Sequence, residues 1–445
     1  MIKNPDLFRN KVVDDLVDTI VLGEDPHVKR LCFWVAYNSA LHFGVIPSSI
    51  QGLYEARGKA LCSGFTVPAM NIRTLTFDLS RAIFSAANKI NAGSFIFEIA
   101  KSEIGYTDQK PLEYSSVIML AAIKEGFKGP IFIQGDHFQV KAKNFLQDRE
   151  KELTPLKNLI KEAVDAHFYN IDIDTSTLVD LEKKTLDEQQ KLNYGVCAQL
   201  TKYIRGLQPK GVEISVGGEI GEVGMKNSTL EELHAFMQGY RKEIGALKGI
   251  SKISIQTGTT HGGVVLPDGS IAKVNIDFDT LQSLSEVGRK DYGIAGAVQH
   301  GASTLPNEAF HRFSEIGCAE IHLATQFQNI VYDYLPLQLK EKIYGWLHEN
   351  AAAEKKPDMT DDQFIYKTRK SALGPFKKEI HSLNKEWREK ISSVLEEEFS
   401  FLFDKLNIKN TKTYTEKYIV TAAFPKKKEE FLKEERELGE LEGAD

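Results

Sequence analysis

The chain has 445 residues, 27% of them charged, and its 62 acidic and 56 basic side chains leave a formal net charge of −6. That length exceeds one ordinary domain but suits a large α/β barrel with extensions; the mild acidity, without an arginine-rich stripe, excludes nucleic acid as a main ligand, because phosphate-backbone binding needs a concentrated basic face. Cys32, Cys62, Cys197 and Cys318 share no CxxC spacing, which argues for a reducing, cytoplasmic setting, and no apolar stretch approaches the ~20 residues that span a bilayer.

The N-terminus, MIKNPDLFRNKVVDDLVDTI, is charged and amphipathic, unlike a signal peptide, and residues 1–60 read as a helical segment. Short apolar runs separated by helix-like sequence then follow: FTVPAMN (65–71), SFIFEIA (94–100), IFIQGDH (131–137) and FYNIDID (168–174). The series continues with VEISVGGE (212–219), KISIQTGT (252–259), GAVQHGA (296–302) and EIHLATQ (320–326). Strands that are apolar on both faces and alternate with helices form a parallel sheet. Eight such units predict an α/β fold, a (β/α)8 TIM barrel over residues 61–335, with a doubly wound open sheet as the competing architecture. Residues 336–445 read as a helical C-terminal extension, ending in the charged stretch KKKEEFLKEERELGELEGAD.

Polar residues fall repeatedly at the strand ends, where a barrel gathers its chemistry at one mouth. Taken singly, a histidine there is usually a polar cap; His137, His261 and His300, each after an apolar run and among small residues, form a candidate three-histidine metal site if the strands converge. Asp136, next to His137, suits proton transfer beside a metal if the backbone turns enough for both to face the mouth. Glu219 and Glu222 lie in the glycine-flanked SVGGEIGEVG, and Gly262, Gly301 and Ser303 make a candidate phosphate cradle. No strand body carries a lysine; Lys101, Lys252 and Lys273 sit at edges or in loops, which disfavours imine chemistry.

In this order the motifs resemble the class II, metal-dependent ketose-bisphosphate aldolases over roughly residues 60–335. PAMN is similar to the family's PAxN, GDH to its DH pair, SVGGEIG to SVEAELG, TGTTHGGVVLPDG to xGxxHGxYxPG, and VQHGAST to LHGGSGS. The resemblance implies Asn71 at a substrate contact, Asp136 as proton shuttle, and His137, His261, His300 and Glu219 around the metal. It places Gly301 and Ser303 on phosphate, and Glu222 becomes the nearest counterpart of the family's mobile glutamate. Departures are plain: HLATQ replaces NIDTD, so His322 and Ala324 stand where the family has Asn and Asp, and Ala100, beside Lys101, replaces a serine. EIAKSEIGYT resembles the tagatose-bisphosphate aldolase subunit that lacks its own activity, and IYKTRK resembles YYDPR, offering Arg369 to a phosphate.

The expected function is reversible cleavage of a ketose (bis)phosphate such as fructose 1,6-bisphosphate to dihydroxyacetone phosphate and an aldehyde. The expected cofactor is Zn²⁺ or another divalent ion such as Co²⁺ or Mn²⁺. The partner is a sugar phosphate, with no nucleic acid or membrane, and a homo-oligomer is expected by analogy. Alternatives are an aldolase for another sugar phosphate such as tagatose 1,6-bisphosphate, a metal-dependent barrel hydrolase, and a non-catalytic scaffold subunit.

Overall fold

The computed structural model describes residues 2–221, 226–258, 266, 275–303, 305–432 and 441. Among these, eight parallel strands close into a ring: β2 (Val67–Asn71), β3 (Ile96–Ala100), β4 (Gly129–Gln139), β5 (Asn170–Asp174), β6 (Ser215–Glu219), β7 (Lys252–Ile255), β8 (Ala297–Gln299) and β9 (Glu320–Leu323). Each pairs with the next, and β9 returns to β2 with Val67 opposite Glu320, which rules out the open sheet. The strands are buried on both faces: every residue of β2, β3, β5 and β6 is buried, the polar Glu98, Asn170, Asp172, Asp174 and Glu219 included. The intervening helices, such as Thr76–Lys89, Leu186–Leu207 and Leu230–Ile244, present apolar faces to the ring.

The N-terminal segment departs from the helical reading. After the helix Pro26–Phe43, closed by Gly44 at φ +80°, a short strand β1 (Val45–Ser48) runs parallel to the first half of β4, Val45 opposite Gly129. It seals the barrel floor below β5, whose pairing with β4 starts only at Gln134. Asn170 binds this edge from inside: its amide nitrogen donates to Ser48 O (3.3 Å) and Ile133 O (3.0 Å), and its Oδ1 accepts from Ile50 N (2.8 Å). A four-residue strand containing Pro47 has too few alternations to register as a period, so only its neighbours reveal it.

The C-terminal extension wraps the barrel. Helix Lys385–Lys405 lies on helix Thr76–Lys89, with Arg388 forked onto both Asp78 carboxylate oxygens (2.9–3.1 Å). Its buried face carries Leu395, Phe399, Leu402 and Phe403, and the Phe399 ring lies 4.8 Å from Phe327 on the helix after β9. Further on, the chain meets the N-terminal helix: Trp34 donates to Lys426 O (2.9 Å), and Tyr37 to Phe424 O (3.0 Å). Among the described residues no helix is long and apolar enough to cross a membrane.

Phe399→Ala is expected to cost about 3–5 kcal/mol, the range for emptying a buried aromatic site. A urea titration checks this: an unchanged midpoint would mean the extension rests on the barrel without stabilising it.

Candidate metal centre

A bulge in β4 builds the centre. Register with β5 slips between Gly135 and Phe138, and His137 takes φ +42°, a left-handed conformation that costs a non-glycine residue of order 1 kcal/mol or more. This lets Asp136 and His137, consecutive in sequence, both reach the interior cluster, as expected, although the strand runs on to Gln139 instead of ending there. Gly135 permits the fold-back, since a Cβ on it would lie 2.5 Å from the buried Phe138 ring.

His137 meets His300, which follows β8 and precedes Gly301 at φ +69°. His137 Nε2 lies 3.0 Å from His300 Nδ1, while His137 Nδ1 lies 3.3 Å from Asp174 Oδ2 and 3.6 Å from Glu219 Oε2. The other His300 nitrogen is 2.9 Å from Ser254 Oγ; with its proton on that side, the ring turns a lone pair toward His137. Two imidazole nitrogens and a carboxylate, all buried, have ligand atoms within 4.8 Å of one another. Tetrahedral donors with bonds of about 2.0–2.1 Å stand about 3.3 Å apart, so the His137–His300 spacing suits one ion between them. His261 and Glu222 fall outside the described residues, as does Gly262.

The electrostatics favour a cation here. Burial pushes His137 down, but Asp136, Asp174 and Glu219 outweigh it and hold the ring well above the usual imidazole range. Burial and the Asp174 charge push Glu219 well up. A protonated His137 answers this demand for positive charge, and a metal ion answers it better by displacing the proton.

Asp136 is fixed from two sides. Its Oδ2 accepts from Asn71 Nδ2 (3.0 Å), which also donates to Glu103 Oε2 (2.9 Å), and Glu103 in turn holds Arg73 at 2.6 Å. Its Oδ1 lies 3.2 Å from His322 Nδ1. Burial raises the Asp136 pKa, but His137 and then His322 outweigh it and keep the carboxyl well below its ordinary value.

Below Asp136 the barrel interior is charged, and here one expectation is overturned. Lys252 is no edge lysine: as the first residue of β7 it is 1% exposed, with Nζ 2.8 Å from both Asp172 Oδ2 and Gln134 Oε1 and in contact with Glu320. Glu320 also accepts from Tyr54 OH, from Gln134 Nε2 (2.9 Å) and, at 2.7 Å, is bonded to His322 Nε2. Burial pushes Glu320 up, yet Lys252 and His322 bring it down to about 2, whereas Asp172 stays raised at about 6 because burial exceeds what Lys252 offsets.

The remaining candidates scatter. His322, taken from the sequence as a substrate contact, packs against His300 inside this network (centroids 4.1 Å, ring planes tilted by 47°). Ser303 Oγ accepts from Ala324 N (2.8 Å), and Lys101 Nζ donates to Gln139 O (3.1 Å). Arg369 is bonded to Asn329 and lies over the Tyr332 and Tyr366 rings (5.0 and 4.5 Å), away from the histidines. Sequence reasoning missed Arg73, Glu103, Gln134, Ser254, Lys252 and Glu320 as members of the site. Glu320 and Lys252 open their strands, a position that reads as solvent edge unless the barrel floor is known to be closed.

A family model described as fructose-bisphosphate aldolase class-II matches residues 53–399. Among solved structures, the chain is similar to the fructuronate-tagaturonate epimerase UxaE of Cohnella laeviribosi, at 13% identity with 86% of each chain covered and a TM-score of 0.57. It is also similar to fructose-bisphosphate aldolase (Fba) of Campylobacter jejuni, at 18% identity over 82% of this chain and 96% of that one, with a TM-score of 0.50. Identities this low speak for the shared barrel alone.

Lys252→Met is expected to destabilise the protein by about 3–5 kcal/mol at pH 8, because Asp172 and Glu320 lose their buried counter-charge. Without the ammonium both folded-state carboxyls titrate higher, so the folded variant binds more protons than its unfolded chain and loses stability as pH rises. The deficit therefore shrinks toward pH 5. Urea titrations across that range decide it, and a deficit independent of pH would sink the charge-pairing account.

Proposed function

The chain belongs to the class-II fructose-bisphosphate aldolase family, and from that footing we propose that it catalyses reversible aldol cleavage of a ketose (bis)phosphate, with fructose 1,6-bisphosphate as first candidate, to dihydroxyacetone phosphate and an aldehyde. The observation that carries this reading is the β4 bulge, which sets the carboxylate of Asp136 beside the His137–His300 pair. Aldol cleavage needs a base for the hydroxyl that becomes the aldehyde and a sink for the electrons of the breaking carbon–carbon bond.

Asp136 is the base. Its carboxyl is held ionised by the flanking histidines, and the Asn71 amide fixes its orientation, so it is ready to take the hydroxyl proton. His137, His300 and Glu219, with His261 by resemblance, would hold a divalent ion such as Zn²⁺, which supplies a Lewis acid that polarises the substrate carbonyl and offsets the developing enediolate charge. Glu222, or Glu219 in its place, returns a proton to the enediolate carbon. At the phosphate, Gly301 offers its backbone N–H. Because Ser303 Oγ accepts from Ala324 N, its hydroxyl proton stays available for a phosphate oxygen. Lys101 is assigned a supporting role on the same charge, whereas Arg369, engaged by Asn329 and two tyrosine rings, is not.

Imine catalysis finds no support at Lys252, a buried lysine of the barrel interior. Burial lowers its pKa, but Asp172 and Glu320 outweigh that and raise it, which withholds the lone pair an imine requires. A second reading concerns the sugar: with His322 committed to the interior network and Ala324 beside it, the pocket's sugar end differs from the family pattern, which favours another ketose phosphate such as tagatose 1,6-bisphosphate.

The expected outcome is cleavage of fructose 1,6-bisphosphate that EDTA stops and Zn²⁺ or Co²⁺ restores, with Asp136→Asn lowering kcat by about 10²–10⁴. Cleavage of tagatose 1,6-bisphosphate alone selects the second reading. Bound metal without cleavage of either sugar would keep the site and point to another substrate, no metal and no cleavage would favour the scaffold role, and full activity in the asparagine variant would overturn Asp136 as the base.

A further inference from the structure

Asp136 is tied into a chain of hydrogen bonds that leads out of the site. Asn71 Nδ2 carries two N–H groups, and both are engaged, one by Asp136 Oδ2 (3.0 Å) and one by Glu103 Oε2 (2.9 Å). Turned over, the amide would set its Oδ1 against two carboxylate oxygens. Glu103 therefore admits one orientation of Asn71, and Asn71 holds one oxygen of Asp136 in place.

Glu103 is itself held on both oxygens. Oε2 also accepts from Ala100 N (2.8 Å), closing the first turn of helix Lys101–Tyr106, and Oε1 accepts from Arg73 Nε (2.6 Å). Arg73 Nη1 then donates to Gln328 Oε1 (3.1 Å) and lies 3.5 Å from Thr325 Oγ1. Both belong to helix Thr325–Tyr334, entered through Ala324, whose N–H engages Ser303 at the phosphate end. Asn71, Arg73, Glu103, Thr325 and Gln328 are each at most 9% exposed. The tether thus joins the ends of β2, β3 and β9 to the β4 bulge, and puts the proton-transfer and phosphate ends on one frame.

A helix cap explains only part of this. Capping Ala100 N takes one carboxylate oxygen and no guanidinium, yet the other oxygen of Glu103 goes to a buried ion pair. Apolar residues in place of such a pair are often neutral or stabilising, so stability alone does not account for it. What a guanidinium adds is direction: its N–H groups lie in one plane and fix Glu103 and Gln328 at a set angle to each other.

We propose that Arg73 and Glu103 are positioning residues: acting through Asn71, they hold Asp136 Oδ2 where it meets the substrate hydroxyl. The proposal rests on the aldolase reading for the reaction itself. Both residues lie outside the motifs PAMN and GDH that bring in Asn71 and Asp136, and neither needs to touch the substrate.

The test is a mutant cycle on full-length protein, reading kcat and KM for whichever bisphosphate the wild type cleaves. Arg73→Met leaves the Glu103 cap on Ala100 its donor and acceptor, and is expected to lower kcat about 10²-fold, the cost of a displacement of about 1 Å, with KM changed by less than about twofold. Glu103→Gln is expected to fall likewise, and Arg73→Lys to recover part of the loss. Because Arg73 acts through Asp136, adding Arg73→Met to Asp136→Asn is expected to lower kcat by less than about threefold further. Undiminished kcat in Arg73→Met, a loss confined to KM, or an equal loss in both backgrounds would overturn the positioning role and leave the aldolase reading standing. A wild type that cleaves neither bisphosphate overturns the role together with the reaction on which it rests. Should Arg73→Met fail to fold by circular dichroism, Gln328→Leu takes its place, cutting the tether beyond the Arg73–Glu103 pair. It is expected to lower kcat about tenfold, and an unchanged kcat there sinks the proposal.

Discussion

A parallel barrel is normally filled with branched apolar side chains, and this one is filled along its axis with carboxylates. Everything about the site depends on how that buried negative charge is answered. At the floor the answer is covalent to the chain: Lys252 ties Asp172 to Glu320, while Tyr54 and Gln134 complete the lone pairs of Glu320. At the mouth His137 faces Asp174 and Glu219, and the demand for positive charge there falls on imidazoles and on whatever they bind. The floor is a fixed ion-pair system and the mouth an open one, and chemistry belongs where the compensating charge can come and go.

Between the two lies His322, the hinge of the arrangement. It passes the floor network to Asp136 on one edge of its ring and packs, tilted, against His300. A substitution at this position would therefore reach the orientation and ionisation of Asp136.

The bulge in β4 and the wrapping extension answer two other constraints. Period-2 alternation would send Asp136 and His137 to opposite faces, so a left-handed residue and a register slip are needed to bring both inward. Such strain persists only in a well-supported frame. The frame is supported from outside by helix Lys385–Lys405, which covers helix Thr76–Lys89, and from below by β1 beneath β5.

The sequence by itself determined the eight barrel strands, their order and the strand segments that carry Asn71, Asp136, His137, Glu219, His300 and His322. Apolar runs and motif spacing are local properties, and a parallel strand buried on both faces declares itself in a few residues. Tertiary structure decided what locality cannot hold. Lys252 and Glu320 become partners although 68 residues separate them. Glu103 and Arg73 join through Asn71, and Arg369 turns aside to Asn329 and two tyrosine rings. A charged residue at a strand's first position reads as solvent edge in one dimension; only closure of the ring, with β1 across its floor, puts that charge where water cannot reach it and a partner must.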